Sequence, residues 1–181
     1  MREEIFLGGL GGQGVLLGGQ MLARAGMDQG LKVSWFPLYT PEVRGGSATC
    51  TVVLTDGRVG SPMSEHPGTM ILMDPISART FASQVAPGGL LVLNSSLVAE
   101  VPGSDGCQQI RVPANDIATE IGNPRTVNMV MIGAWAGRTR ILSIQAIADG
   151  LRSMLPERHH KHMPANVAAL ERGAAIGAQS A

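Results

Sequence analysis

The chain has 181 residues, enough for one domain that buries a core without disulfides or a structural metal. Apolar residues make up 44% and charged residues only 15%, and fourteen basic side chains balance fourteen acidic ones. That balance lacks the basic footprint of a nucleic-acid binder, and a sparsely charged, neutral chain is poorly protected against association, so partner subunits are expected. The 24 glycines, about twice the usual share, follow no collagen-like period and must serve turns and close backbone approaches.

The N-terminal stretch is rich in Leu and Gly, but Glu3 and Glu4 spoil a basic signal region and Gln13 and Gln20 break the apolar run. No apolar run reaches the length of a membrane span. Glu4 to Leu7 reads as a buried first strand, stopped by Gly8 and Gly9. Gly8 to Gly14 is a turn, and Val15, Leu16, Gln20, Met21, Leu22 and Ala25 fall at helical spacing, giving a helix from about Gln13 to Gln29 with Gly30 as its stop. Leu31 to Phe36 reads as a second strand. The three elements form a strand-turn-helix-strand unit with a right-handed crossover and parallel strands.

Pro37 to Ser47 reads as a loop, and Ala48 to Thr55 as a β-branched strand. Asp56-Gly57 is a hairpin signal, with a return strand starting at Arg58 to Gly60; this hairpin argues for a mixed sheet. Strands follow at Thr69 to Met73, Leu90 to Leu93 and Gln109 to Val112. Helices are expected over Ile76 to Val85, Asp116 to Gly122, Thr126 to Trp135, Ser143 to Leu155 and Pro164 to Ala178. The expected fold is α/β: a single domain over 1–181 with three α/β/α layers, a mixed but mainly parallel sheet and a Rossmann-like start.

Gly9-x-Gly11-x-x-Gly14 matches the dinucleotide fingerprint after a strand and before a helix. Amides at a helix N-terminus favour an anion, and glycines let it approach. The fingerprint also needs an acid at the end of the second strand for the ribose, and Ser34-Trp35-Phe36-Pro37 offers neither an acid nor a base, so nicotinamide binding is not expected. No Lys-Ser/Thr completes a phosphate-binding loop. Two readings of Gly9, Gly11, Gly12, Gln13 and Gly14 stay open: a turn that holds a phosphate or carboxylate, or one that only packs helix on strand or faces a partner.

Gly11-Gly12-Gln13-Gly14 together with Pro41-Glu42-Val43-Arg44-Gly45-Gly46-Ser47-Ala48-Thr49-Cys50 resembles the gamma subunit of 2-oxoacid:ferredoxin oxidoreductases. The resemblance continues through Gly60-Ser61-Pro62, Leu91 to Ser96, Asn128 to Ala134 and Asn166 to Gly173, nearly the whole chain. It implies a thiamine diphosphate-dependent complex that decarboxylates a 2-oxoacid oxidatively, joins the acyl group to coenzyme A and reduces ferredoxin. It further implies that thiamine diphosphate, magnesium and iron–sulfur clusters sit on alpha, beta and delta-type partner subunits, with this chain completing the assembly. Cys50 and Cys107 cannot ligate a four-thiolate cluster, and they fit a reduced, cytoplasmic setting better than a disulfide framework. The wording Arg-Gly-Gly-Ser-Ala-Thr-Cys is more similar to the ketoisovalerate and 2-oxoglutarate branches than to the pyruvate branch. A stand-alone nucleotide- or acyl-CoA-binding module is the competing reading.

Arg44, between glycines in a Pro-bounded loop, could grip a carboxylate or phosphate, and with Tyr39, Glu42, Gly45, Gly46 and Ser47 it forms a candidate interface. Asn94 and Ser95 close a strand where ligands lodge in open α/β sheets, or cap a turn; Asp74-Pro75 has the same double reading. Trp35 reads as core. His159, His160 and His162 fit no structural zinc pattern and read, with Lys161, as a solvated segment between helices. Ser47 and Cys50 have no His nearby in sequence to activate them, so no catalytic residue is assigned to this chain.

Overall fold

The computed structural model describes residues 1–39, 46–101 and 106–180. Among the described residues six strands and six α-helices follow in the order β1 (Arg2–Leu10), α1 (Val15–Asp28), β2 (Lys32–Tyr39), β3 (Ser47–Thr55), β4 (Thr69–Leu72), α2 (Pro75–Phe81), β5 (Leu90–Asn94), β6 (Gln108–Val112), α3 (Ala114–Glu120), α4 (Val127–Thr139), α5 (Ile144–Met154) and α6 (Met163–Gln179). They form one sheet of order β2-β3-β1-β4-β5-β6. The strands β1, β4, β5 and β6 are parallel, and β3 runs antiparallel to both neighbours, so the sheet is mixed and mainly parallel as expected.

The sheet is mixed for a different reason from the one the sequence offered. Asp56-Gly57 does not turn a hairpin and Arg58 to Gly60 forms no return strand. Thr55 Oγ1 accepts from the Gly57 amide at 3.0 Å, and the Arg2 guanidinium donates to the carbonyls of Arg58, Val59 and Ser61. Those carbonyls are thereby drawn to a side chain of β1 instead of to a strand ladder. The reversal lies between β2 and β3, where Tyr39 pairs with Ala48. The first two strands are parallel in direction, but β3 intervenes between them, so they are not neighbours.

The layers are unequal. One face of the sheet carries Ile5, Leu7, Cys50, Val52, Leu54, Ile71 and Val92 against α1, α3, α4, α5 and α6. The other face carries Met70, Leu72, Leu91 and Leu93 against α2, with Phe6 and Phe81 rings 4.9 Å apart. Helix starts follow local rules: Asp74 caps α2 by accepting from Ile76 N at 2.8 Å and Ser77 N at 3.1 Å, with Pro75 first in the helix. Ser143 caps α5 through the Ala146 amide at 3.1 Å.

α4 is buried along nearly its whole length and crosses α6 with backbone against backbone. Gly133 and Gly137 of α4 face Leu170 and Ala174, while Gly173 and Gly177 of α6 face Val130 and Ala134; at each glycine a Cβ would strike main-chain atoms. Main chain cannot swing aside like a side-chain tip, so overpacking here must separate the helices. Gly173→Ala is therefore expected to lower stability by about 1–3 kcal/mol in urea unfolding. Glu171→Ala, two residues away on an exposed position, should change it by no more than about 0.5 kcal/mol.

Candidate functional site

The glycine turn lies at the carboxyl end of β1, where the chain leaves the sheet to enter α1. Its first glycine packs: a Cβ on Gly9 would sit 2.7 Å from both Val15 Cγ2 and Gln13 Oε1. Gln13 folds back onto the turn and accepts from the Leu10 amide at 2.7 Å, while its own amide donates to Leu10 O at 3.1 Å. Gly12 and Gly14 both have positive φ, 94° and 76°, a conformation that L side chains rarely adopt. They differ in surroundings. Gly14 packs on Asn128, whose Nδ2 donates to Gly14 O at 3.1 Å, whereas among the described residues nothing lies within 4 Å of a Cβ on Gly12. Among the described residues no side chain caps α1, and the amides of its first turn have no side-chain acceptor there. The turn thus has a packed side, Gly9 and Gly14, and an open side at Gly12 with the helix N-terminus behind it.

The structure brings the two resemblance-bearing motifs together. Leu10 pairs with Ser47 and Gly9 with Ala48, and the Gly11 amide donates to Gly46 O at 2.8 Å. The base of the loop that follows β2 is therefore fixed on the glycine turn. Tyr39 ends β2; Glu42, Arg44 and Gly45 lie outside the described residues. With β3 between β1 and β2, the end of the second strand stands one strand further from the turn than in a dinucleotide-binding unit, which adds to the missing ribose acid.

The second strand-end cluster is held by internal bonds except at Asn94 Oδ1, which is buried without a hydrogen-bond partner among the described residues. Asn94 is fully buried, and its Nδ2 donates to Met73 O at 3.0 Å and to Asn115 Oδ1 at 2.7 Å. Ser95 N donates to Val112 O at 2.8 Å, and Ser96 Oγ accepts from Asn115 N at 3.2 Å at the start of α3. Cys50 is buried beneath α1, where desolvation pushes its thiol up to about 12, opposed by the Trp35 indole and the Gly19 amide. Trp35 itself is partly buried against the core.

Sequence reasoning missed one feature. A cleft of about 740 Å³ opens beside the glycine turn, between the starts of α1 and α4, the end of α5 and a 3-10 turn at Glu157–His162. Gly12 and Gly14 form one wall, and Arg125, His159, Lys161 and His162 stand on the others. The histidine segment is exposed, as expected, but it is not a free linker: His160 Nε2 lies 3.1 Å from Arg152 O and 3.0 Å from Leu155 O, and the His159 and His162 rings stack 6.3 Å apart. Local sequence carries no sign of this placement, which depends on contacts across more than a hundred residues.

The chain belongs to the pyruvate ferredoxin/flavodoxin oxidoreductase family, whose pattern it matches over residues 4–176. It is 39% identical over 130 residues to the ketoisovalerate oxidoreductase subunit VorA of Methanothermobacter thermautotrophicus, a match that covers 72% of this chain but only 27% of that one. It is 32% identical over 163 residues to the 2-oxoglutarate synthase subunit KorC of Methanothermobacter marburgensis, covering 86% of this chain and 88% of that one. In fold it is similar to the gamma subunit of a keto/oxoacid ferredoxin oxidoreductase from Geobacter sulfurreducens, with TM-score 0.84, 24% identity and 99% and 98% coverage. It is also similar to a 2-oxoglutarate:ferredoxin oxidoreductase from Magnetococcus marinus, solved with 2-oxoglutarate, coenzyme A and succinyl-CoA bound (TM-score 0.87, 21% identity, 97% of this chain and 31% of that one). Among the described residues no helix is long and apolar enough to cross a membrane.

Two outcomes test this geometry. Gly14→Ala should destabilise the fold more than Gly12→Ala, because both pay for left-handed backbone, about 1 kcal/mol or more, and only Gly14 also displaces Asn128; urea unfolding of the two variants ranks them. Cys50 sets a pH dependence. Below pH 9.0 its thiol is neutral folded and unfolded; above it the unfolded thiol ionises while the folded one does not until about 12. Stability should therefore fall by about 1.4 kcal/mol per pH unit across that window, and Cys50→Ala should remove this part of the slope.

Proposed function

We propose that this chain is a gamma-type subunit of a thiamine diphosphate-dependent 2-oxoacid:ferredoxin oxidoreductase, serving assembly and the coenzyme A side of the reaction. The observation that carries the reading is the correspondence with a 2-oxoglutarate synthase subunit along nearly the full length of both chains. Thiamine diphosphate, magnesium and the iron–sulfur clusters belong to alpha, beta and delta-type partners, and ferredoxin takes the electrons from the complex. The substrate is a 2-oxoacid of the ketoisovalerate or 2-oxoglutarate branch, which the identities to VorA and KorC support.

The glycine turn suits the phosphates of coenzyme A. Gly12 leaves the approach open, and the uncapped first turn of α1 directs amides and the positive end of its dipole at an anion. Coenzyme A supplies the thiol that accepts the acyl group. This chain supplies fixed donors and a turn braced by Gln13 and by the Gly11–Gly46 bond, so that binding requires little reorganisation. The loop from Tyr39 to Ser47, anchored at that bond, faces a partner subunit, and Arg44 pairs there with a carboxylate or phosphate.

Native mass spectrometry of the protein purified from its source should show a hetero-oligomer. The isolated chain should reduce no viologen dye with any 2-oxoacid and coenzyme A. A homomeric particle, or turnover by this chain alone, would replace the subunit reading. Arg44→Ala should leave circular dichroism unchanged and weaken assembly or acyl transfer by about 2–5 kcal/mol, the cost of an anion left without its donor. Full activity and full assembly in that variant would make the loop a solvated surface.

A further inference from the structure

We infer that the outer face of α2 is a contact between two copies of this chain, related by a two-fold axis. The two faces of the sheet are unequally covered. Among the described residues five helices lie on one face, whereas α2 and a 3-10 turn at Ala82–Gln84 lie on the other. On that thin side α2 presents Ile76, 53% exposed, one turn before exposed Arg79. Residues three apart share a helix face, so an apolar and a cationic side chain stand side by side. Next to them is an open hollow of about 400 Å³, walled by Pro75 and Arg79 of α2 and by Leu97 to Glu100 after β5. Val98 in this wall is buried, and Leu97 is 44% exposed. Exposed aliphatics at the edge of an open hollow suit a side chain inserted from a folded surface; a small molecule is held in a more enclosed site.

Charge identifies the occupant. Arg79 stands on the α2 wall and Glu100 on the other. Among the described residues neither makes an ion pair, although Arg2, Arg24 and Arg172 hold Glu4, Asp28 and Glu120 at 2.7–2.9 Å. A two-fold contact sets one patch against itself, so each residue meets its counterpart's neighbour reciprocally. This patch is complementary to itself, with the aliphatics Ile76 and Leu97 and one charge of each sign. Arg79 of each copy faces Glu100 of the other, and Leu97 of each enters the other's hollow. A chain of zero net charge does not repel its copy. The walls are also fixed beforehand. Buried Asp74 accepts from Ile76 N and Ser77 N and holds the start of α2. On the other wall Leu97 N and Val98 N donate to Asn94 O at 3.1 and 2.9 Å. Arg111 Nη2 donates to the Val98 and Ala99 carbonyls, both at 2.6 Å. Association therefore orders few groups that were free before it.

The two-fold contact stands independently of the coenzyme A reading. Sedimentation equilibrium of the full chain tests it, over a series reaching about 100 μM, where even a weak dimer is populated. Circular dichroism confirms the fold of each variant. The wild type should be dimeric at the top of the series. Arg79→Glu and Glu100→Arg should each weaken the dimer about tenfold or more, because the two-fold axis sets like charges together at both ends of the contact. The double reversal should return to within about threefold of the wild type, since both pairs re-form with their signs exchanged. Changes in this one chain can repair only a contact that the patch makes with itself. Leu97→Ser, outside every helix and strand, should also weaken the dimer about tenfold. A wild type that stays monomeric, single reversals that dimerise unimpaired, or a double reversal no tighter than the single ones would overturn the contact. So would reversals that weaken only assembly with other subunits and are not repaired in the double, which would assign the patch to another chain. The subunit reading is decided separately, by the native mass of the assembly purified from its source, and a dimer of the isolated chain leaves it untouched.

Discussion

Helix α6 lies on α4 with main chain touching main chain, and the arrangement of the helical layer depends on that contact. Two glycines on each helix, four residues apart, remove the side chains that would hold the axes at ordinary spacing. Each glycine forgoes some helix propensity, about 1 kcal/mol relative to alanine, so the sequence accepts a cost in local helix stability to gain dispersion contact along the crossing. The crossing has a consequence at its open end. It brings the start of α6, with the His159–His162 turn before it, beside Asn128 and Met129 at the start of α4, and Asn128 in turn holds Gly14. The cleft's walls are therefore spaced by a packing contact in which none of its charged residues takes part.

The sheet contributes the second constraint. Inserting β3 between β2 and β1 converts a strand-turn-helix-strand unit of ordinary appearance into one whose second strand is at the edge. In exchange, the residue that leads into β3 lies on the glycine turn, where the Gly11 amide meets Gly46 O. Motifs more than thirty residues apart become one surface, and a ribose reader on β2 would be displaced from it. The same glycine pattern is thus compatible with an anion site and incompatible in its setting with the usual dinucleotide arrangement.

What the sequence revealed follows the range of the forces involved. Ser143 to Leu155 was legible because burial of one face acts over a few residues, and Ala48 to Thr55, buried on both faces, because of its β-branched residues. Asp56-Gly57 misled because a turn dipeptide favours a bend without dictating what pairs after it, and here Arg2 of the first strand takes the carbonyls that follow. The adjacency of β3 to β1 could not be read from local pattern at all. The glycine spacing in α4 and α6 was visible, and matched glycines four apart in two helices were a usable sign of close crossing. Of the candidate site, the glycine turn was legible. The cation rim was not, because Arg125 and the His159–His162 segment are polar residues whose common cavity exists only after the helices pack.

Net charge and local field are separate quantities, and the contrast bears on how this chain would recognise a ligand. Zero net charge describes the whole surface seen from beyond a Debye length, about 8–10 Å, where opposite charges cancel. Within the cleft the distances are shorter, and part of the wall is low-dielectric Met129 and Leu151, which screens less than water. Four cationic or protonatable groups and a helix N-terminus act there without a lining carboxylate. A neutral exterior suits a chain that packs against other subunits, since a large net charge would repel or misdirect them. Confining positive potential to one concavity leaves the rest of the surface close to neutral, so the field inside the cleft and the surface outside it can be shaped independently.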